Sequence, residues 1–217
     1  SLRCVEEKER KGVEALFAVF GVFAEDELVP AAALDAIAPL VCSHAGLDGA
    51  SRPHVKVRKW LQGLLKASLL FGSVTDGGVR VHDLVRDVMI RRASALNGGG
   101  MVGLQREVLK LLLASFDAEA FDAQEAASSF VAQRLSWHVR ESLKPTAPIH
   151  EDELMMRVLT HESGDLRRQA AMGIGRSTIL ANADACDQRG EHYVAAQLVY
   201  ALCALKGMAA VSYTHLT

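Results

Sequence analysis

The chain has 217 residues, of which 50% are apolar and 23% charged, with a formal charge of −2 at pH 7. Such a composition excludes disordered and collagen-like chains, and the near-neutral balance leaves no global field to gather nucleic acid or an anionic membrane. At roughly 150 residues per domain, two compact units fit the length better than one large domain.

Apolar runs such as residues 31–38, with Asp35 inside, fall far short of the ~20 residues of a membrane span, and no charged-then-apolar signal peptide opens the chain. A cytoplasmic location without a membrane partner is expected. Cys4, Cys42, Cys186 and Cys203 lack CxxC spacing, which fits reduced, buried thiols rather than a disulfide framework or a zinc site. The chain opens without Met, and residues 211–217 break the helical pattern before them; residues 1–5 and 211–217 read as sequencing-adaptor scars on a piece of a longer protein.

In chain order, Glu6 to Ala24 places Val13, Leu16, Phe17, Phe20 and Phe23 at helical spacing, predicting an amphipathic helix with an inward aromatic face. Pro30 opens a second helix with Leu34, Ile37 and Leu40, which Pro39 is expected to disturb near its end. A Gly, Ser and Pro-rich connection over residues 43–53 leads to a third helix. Its apolar positions are Val55, Trp60, Leu61, Leu64 and Leu65, and its other face carries Lys56, Arg58, Lys59 and Lys66.

The period then changes. Residues 69–74 and 78–81 flank Thr75-Asp76-Gly77, and Asp-Gly between apolar runs signals a hairpin. Asp83 is positioned to cap a fourth helix, Leu84 to Leu96, which stops at Asn97 and the Gly98-Gly99-Gly100 run. Three helices, a hairpin wing and a further helix predict a winged-helix domain over residues 6–97.

Beyond the glycines no strand pattern occurs. Helices are expected at 102–115, 123–143, 151–161, 166–185 and 192–205, broken by Pro145 and Pro148, with Gly164 and Gly190 marking turns. The expected fold class is therefore mostly α: the winged-helix domain, then an α-solenoid-like region over residues 101–206 of tetratricopeptide or armadillo character, although no fixed-period repeat is visible.

The most specific signal is Val79-Arg80-Val81-His82-Asp83-Leu84-Val85-Arg86-Asp87, at the junction of wing and fourth helix. It resembles the Met-His-Asp motif region of the winged-helix domain in NB-ARC/STAND signal-transduction ATPases, with Val81 in place of the usual Met and His82 and Asp83 matching directly. The likeness extends to Phe23-Ala24-Glu25-Asp26, which resembles the family's Phe-x-Glu-Asp pattern, and to Trp60-Leu61 and Leu69-Leu70. It covers about residues 12–91.

The resemblance implies that His82 contacts the β-phosphate of ADP and that Asp83 supports the loop presenting it. An imidazole N–H ahead of a helix N-terminus is chemically suited to an anion. The resemblance also implies an ADP/ATP site in the parent protein, an upstream nucleotide-binding domain as the first partner, and a nucleotide-dependent signalling switch. The helical region would then serve as a protein-interaction or sensor surface.

The P-loop pattern Gly-x-x-x-x-Gly-Lys-Ser/Thr does not occur in these 217 residues, and Gly173-Ile-Gly175 lacks both a further glycine and a preceding strand. No catalysis and no cofactor of its own are expected for this chain.

The alternative is a DNA-binding winged-helix transcriptional regulator, with residues 55–66 in the major groove and Arg52 and Arg80 assisting. A solvated face is the plainer account of that basic helix, and nucleic acid is not the expected partner, because Asp117, Glu119, Asp122 and Glu125 would repel a duplex. His138, His150, His161 and His192 lack the i, i+4 spacing with an attendant carboxylate that a metal would need. Trp137 reads as a core anchor and Asp165 as a helix cap.

Overall fold

The computed structural model describes residues 7–75, 77–96, 98–118, 130, 134, 137–143, 152–155 and 176–200. These residues are mostly helical, with one small two-stranded antiparallel sheet among them. The chain divides into two compact units, Ser1–Val131 and Ala132–Thr217.

The first helix, α1, spans Glu7–Val19 and carries Glu7 and Glu9 in its first turn, where carboxylates suit the positive end of the helix dipole. Val13, Leu16 and Phe17 are buried as their spacing predicts. The helix does not run unbroken to Ala24. It tightens into a 3₁₀ turn over Phe20–Val22 and leaves in extended conformation at Phe23, whose N–H bonds Phe20 O at 3.2 Å. Burial is continuous from Ala15 to Phe23, through the last turn of α1 and the 3₁₀ turn. Gly21 is required there: a Cβ would sit 2.9 Å from the Met89 carbonyl carbon.

Helix α2 spans Ala31–His44, with Pro30 at its N-cap. It passes through Pro39 and ends five residues later, at His44, where the expected connection begins. Pro39 is exposed, so the missing backbone bond lies on the solvent side of the helix rather than in the core.

Helix α3, Pro53–Lys66, starts with Pro at its first turn. Its buried stripe is Val57, Trp60, Leu61 and Leu64, spaced i, i+3, i+4, i+7. Val55, expected in the core, is 52% exposed because it stands two residues before the stripe. Gly12 marks the closest approach of α1 to α3, since a Cβ there would fall 2.0 Å from the Trp60 ring.

Strands β1 (Leu70–Ser73) and β2 (Gly78–Val81) pair antiparallel with Leu70 opposite Val81 and Gly72 opposite Val79. This is the expected hairpin, with Leu70, Val79 and Val81 as its buried apolar side chains. Val29 bridges to Val79, so β2 is bonded on both sides. Helix α4 follows at Asp83–Leu96 and buries Met89 and Ala93.

Helix α5, Gly100–Ala118, packs on α2, on α4 and on the 3₁₀ turn. It buries Leu104, Gln105, Val108, Leu109, Leu112 and Leu113. The Gln105 amide donates to Val22 O at 2.6 Å, satisfying a carbonyl left over by the 3₁₀ turn. The first compact unit thus extends past the glycine run at which the sequence places its boundary. Gly98 to Gly100 turn the chain so that α5 returns to the core, rather than releasing it as a linker.

In the second unit, α6 spans Arg176–Asp187 and residues 192–200 are helical, joined through a turn with Gly190 at φ +77°. Ile179, Ala183 and Cys186 form the buried stripe of α6, and Val194, Ala195 and Leu198 that of residues 192–200. Residues 137–141 and 153–155 are also helical. The remainder of the expected helices at 123–143, 151–161 and 166–185, the helix start at Asp165, and residues 201–205 lie outside the described residues.

Among the described residues, no helix is long and apolar enough to cross a membrane.

Candidate functional site

His82 stands between the end of β2 and the first turn of α4. Its carbonyl accepts the N–H groups of Val85 at 3.0 Å and Arg86 at 3.2 Å, which makes His82 the N-cap residue and places Asp83 inside the helix as its first residue. This shifts the cap by one position from the sequence expectation. The Leu84 N–H is shared between Asp83 Oδ1 at 2.7 Å and His82 Nδ1 at 3.2 Å, so both motif side chains serve the same orphan donor.

Asp83 Oδ1 also contacts His82 Nδ1 directly. When Nδ1 carries a proton it donates to that carboxylate, and the Leu84 N–H then belongs to Asp83 alone. The Phe71 ring backs the imidazole, with centroids 5.9 Å apart and planes tilted by 57°. His82 remains half-exposed, and among the described residues its Nε2 makes no hydrogen bond. The result is a histidine oriented from one side and open on the other.

The second motif segment lies beside it. Residues 23–27 form a tight loop in which the Ala24 N–H donates to Glu27 Oε2 at 2.8 Å and Asp26 adopts φ +53°. Arg86, on α4, donates from Nε to Phe23 O at 3.1 Å and ties the loop to the helix. Glu25 and the α4 residues Asp83, Leu84, Arg86 and Asp87 line an open depression of about 340 Å³. Its electrostatics are one-sided, three carboxylates facing one guanidinium. An anion is not stabilised in that depression; it would have to meet His82 at Nε2, away from the Asp83 carboxylate at Nδ1.

Arg86, Glu27 and Phe71 are the members of this arrangement that sequence reading did not single out. Arg86 had one available signal, its place four residues after His82 on the same helical face.

Two cations of the basic face of α3 are engaged in surface ion pairs with α1 and α2. Arg58 holds Asp35 with two donors, Nε at 3.1 Å and Nη2. Lys59 pairs with Glu9 at 2.7 Å, and Trp60 Nε1 donates to the other oxygen of the same carboxylate at 2.5 Å. These donors hold the Glu9 carboxyl below its ordinary value, the Lys59 bond foremost. Lys56, Lys66, Arg52 and Arg80 are exposed.

Among the described residues, no three His, Cys, Asp or Glu side chains gather as a metal would require. His138 is buried in the second unit, and burial, with Arg134 adding to it, lowers its pKa to about 4. His192 pairs through Nδ1 with Asp187 at 2.7 Å at the turn between two helices. Trp137 is only half-buried, with the Arg140 guanidinium 5.2 Å above its ring. Cys42 and Cys186 are free and buried, and burial raises both thiols, Cys186 to about 11. His150, His161, Cys4 and Cys203 lie outside the described residues.

The chain matches no family model, no curated protein and no solved structure.

Proposed function

We propose that this chain is the winged-helix and helical portion of an NB-ARC/STAND-type signalling switch, in which His82 reports the nucleotide state of an upstream nucleotide-binding domain. The observation that carries this reading is the presentation of His82. Its ring is oriented by Asp83 and Phe71 at the N-terminus of α4, the side chain is half-exposed, and among the described residues Nε2 makes no hydrogen bond. That is the arrangement by which an imidazole donates to a phosphate oxygen.

The order of three helices, hairpin and helix, with Val29 bonded to β2, supports the winged-helix assignment. The meeting of residues 23–27 with α4 supports treating the two motif segments as one functional unit. Helical residues 176–187 and 192–200 around the Gly190 turn support a paired-helix, solenoid-like interaction surface.

In this mechanism ADP holds the closed state through His82, and exchange for ATP releases the winged helix as a body. This chain supplies a wall of the site and no catalytic group. A charge-assisted hydrogen bond is worth roughly 1.5–3 kcal/mol, enough to bias a two-state latch by on the order of 10- to 100-fold. The test is the ADP release rate of the protein joined to its upstream domain, as wild type and as His82→Ala. Release should accelerate by about that factor, and an unchanged rate would remove His82 from the mechanism.

The DNA-binding alternative shares the same element order but loses two of its four helix cations to Asp35 and Glu9. A duplex titration distinguishes the two readings: a reader of DNA shows affinity falling steeply with salt, whereas a latch shows weak, unsaturable binding.

A further inference from the structure

Helix α4 ends in Arg91-Arg92-Ala93-Ser94-Ala95-Leu96, just ahead of Gly98-Gly99-Gly100. Of all the serines and threonines in the chain, Ser94 is the only one with arginine at both the second and the third preceding positions. Arg91, Arg92 and Ser94 are all exposed. The Ser94 hydroxyl donates back to Ile90 O at 2.9 Å, a bond that competes with regular helix geometry. The Arg92 guanidinium lies 5.9 Å from the ring centroid of the buried Phe17.

We infer that Ser94 is a phosphoacceptor for an ATP-dependent serine/threonine kinase whose acidic substrate cleft reads the two arginines. The chemistry is in-line phosphoryl transfer. Ser94 Oγ attacks the γ-phosphorus of ATP and forms a new P–O bond. The bond from that phosphorus to the β,γ-bridging oxygen breaks, ADP leaves with the electron pair, and the hydroxyl proton passes to the carboxylate base of the kinase.

A kinase cleft takes its substrate extended, so the last turn of α4 must open. The structure makes this opening cheap: among residues 91–96 only Ala93 is buried, Leu96 is half-buried, and Gly98 just beyond has nothing within 4 Å of where a Cβ would stand, so the backbone there can rearrange without a clash. Modification removes the donor to Ile90 O and places about −1.5 to −2 charge against the negative end of the α4 dipole, so the same turn is the element that responds. The inference is independent of the nucleotide-switch reading, because Ser94 stands at the opposite end of α4 from His82.

The experiment incubates the purified 217-residue chain with Mg-ATP and the catalytic subunit of cyclic-AMP-dependent protein kinase, and locates the phosphate by fragment-ion mass spectrometry. Incorporation should approach one phosphate per chain, on Ser94, and vanish in Ser94→Ala. In the double variant Arg91→Gln/Arg92→Gln, kcat/KM should fall on the order of 100-fold, about one charge-assisted contact per arginine. Urea midpoints of the variants show that each remains folded. Phosphate on another residue would overturn the inference, as would an Arg91/Arg92 variant modified at the wild-type rate. So would a good peptide substrate spanning residues 88–100 combined with an inert folded chain.

Discussion

Val29 and Val79 exchange both of their backbone hydrogen bonds, Val29 N–H to Val79 O at 2.8 Å and Val79 N–H to Val29 O at 3.0 Å. This exchange fastens the stretch between α1 and α2 to β2, and through it the loop at residues 23–27 comes to lie beside the motif that starts at His82.

The neighbouring residue tests that suture. Gly78 has φ +123°, and a Cβ there would meet Val29 O at 2.6 Å. Gly78→Ala therefore combines a backbone region reserved for glycine with a clash on main chain. We expect a loss of about 1–3 kcal/mol in urea unfolding, together with loss of amide-exchange protection at Val29 and Val79. A midpoint equal to wild type would show that the suture does not stabilise the unit.

Gly12 and Gly98 make a matched pair. A Cβ at Gly12 would overlap the Trp60 ring, whereas at Gly98 it meets nothing within 4 Å. Gly12→Ala should cost about 1–3 kcal/mol as overpacking and should shift the Trp60 emission, read in a Trp137→Phe background. Gly98→Ala should change stability by no more than about 0.5 kcal/mol, as a surface substitution does.

Glu9 predicts an acid limb for the first unit. Its carboxyl titrates below the ordinary value of 4.5 in the folded state, held down chiefly by Lys59 and then by Trp60. A depressed carboxylate contributes stability that is present above the unfolded pKa and is lost as pH falls through the folded one. Urea midpoints between about pH 6 and pH 3 should therefore fall less steeply in Glu9→Gln than in wild type, with the variant weaker at the upper end. Parallel curves would exclude the Glu9 contribution.

His138 predicts a different window in the second unit. Buried and with its pKa lowered from 6.5 to about 4, it must stay neutral in the folded state, while the unfolded chain binds a proton from about pH 6.5 downward. Stability is complete above about pH 6.5 and is lost progressively toward about pH 4, by about 3 kcal/mol at the limit. His138→Gln should remove that slope whatever it costs at neutral pH. The check is thermal unfolding of the two chains from about pH 7.5 to about pH 4.5, the window in which the two states bind different numbers of protons.

Features that depend on a few neighbouring residues were legible in the chain before any fold was known. The start of α1, the hairpin strands and the start of α3 after the 43–53 connection are set by side-chain spacing and backbone preference, and they stand within a residue or two of expectation. The motif residues His82 and Asp83 were likewise readable, as was their place at the start of a helix, although the cap falls on His82 and not on Asp83.

Contacts between distant residues settled the rest. The 3₁₀ turn at Phe20 lies against the backbone of Met89 and Ile90 on another helix, so close that a Cβ at Gly21 would meet it at 2.9 Å. Helix α5 joins the first unit because its apolar stripe finds a surface on α2 and α4, and the glycine run gives no local sign of which side the chain will take. The acidic depression beside His82 exists because Arg86 reaches Phe23, 63 residues away in sequence, and because Val29 reaches Val79. Spacing along the chain cannot encode such pairings; they follow from which buried surfaces fit together once the helices have formed.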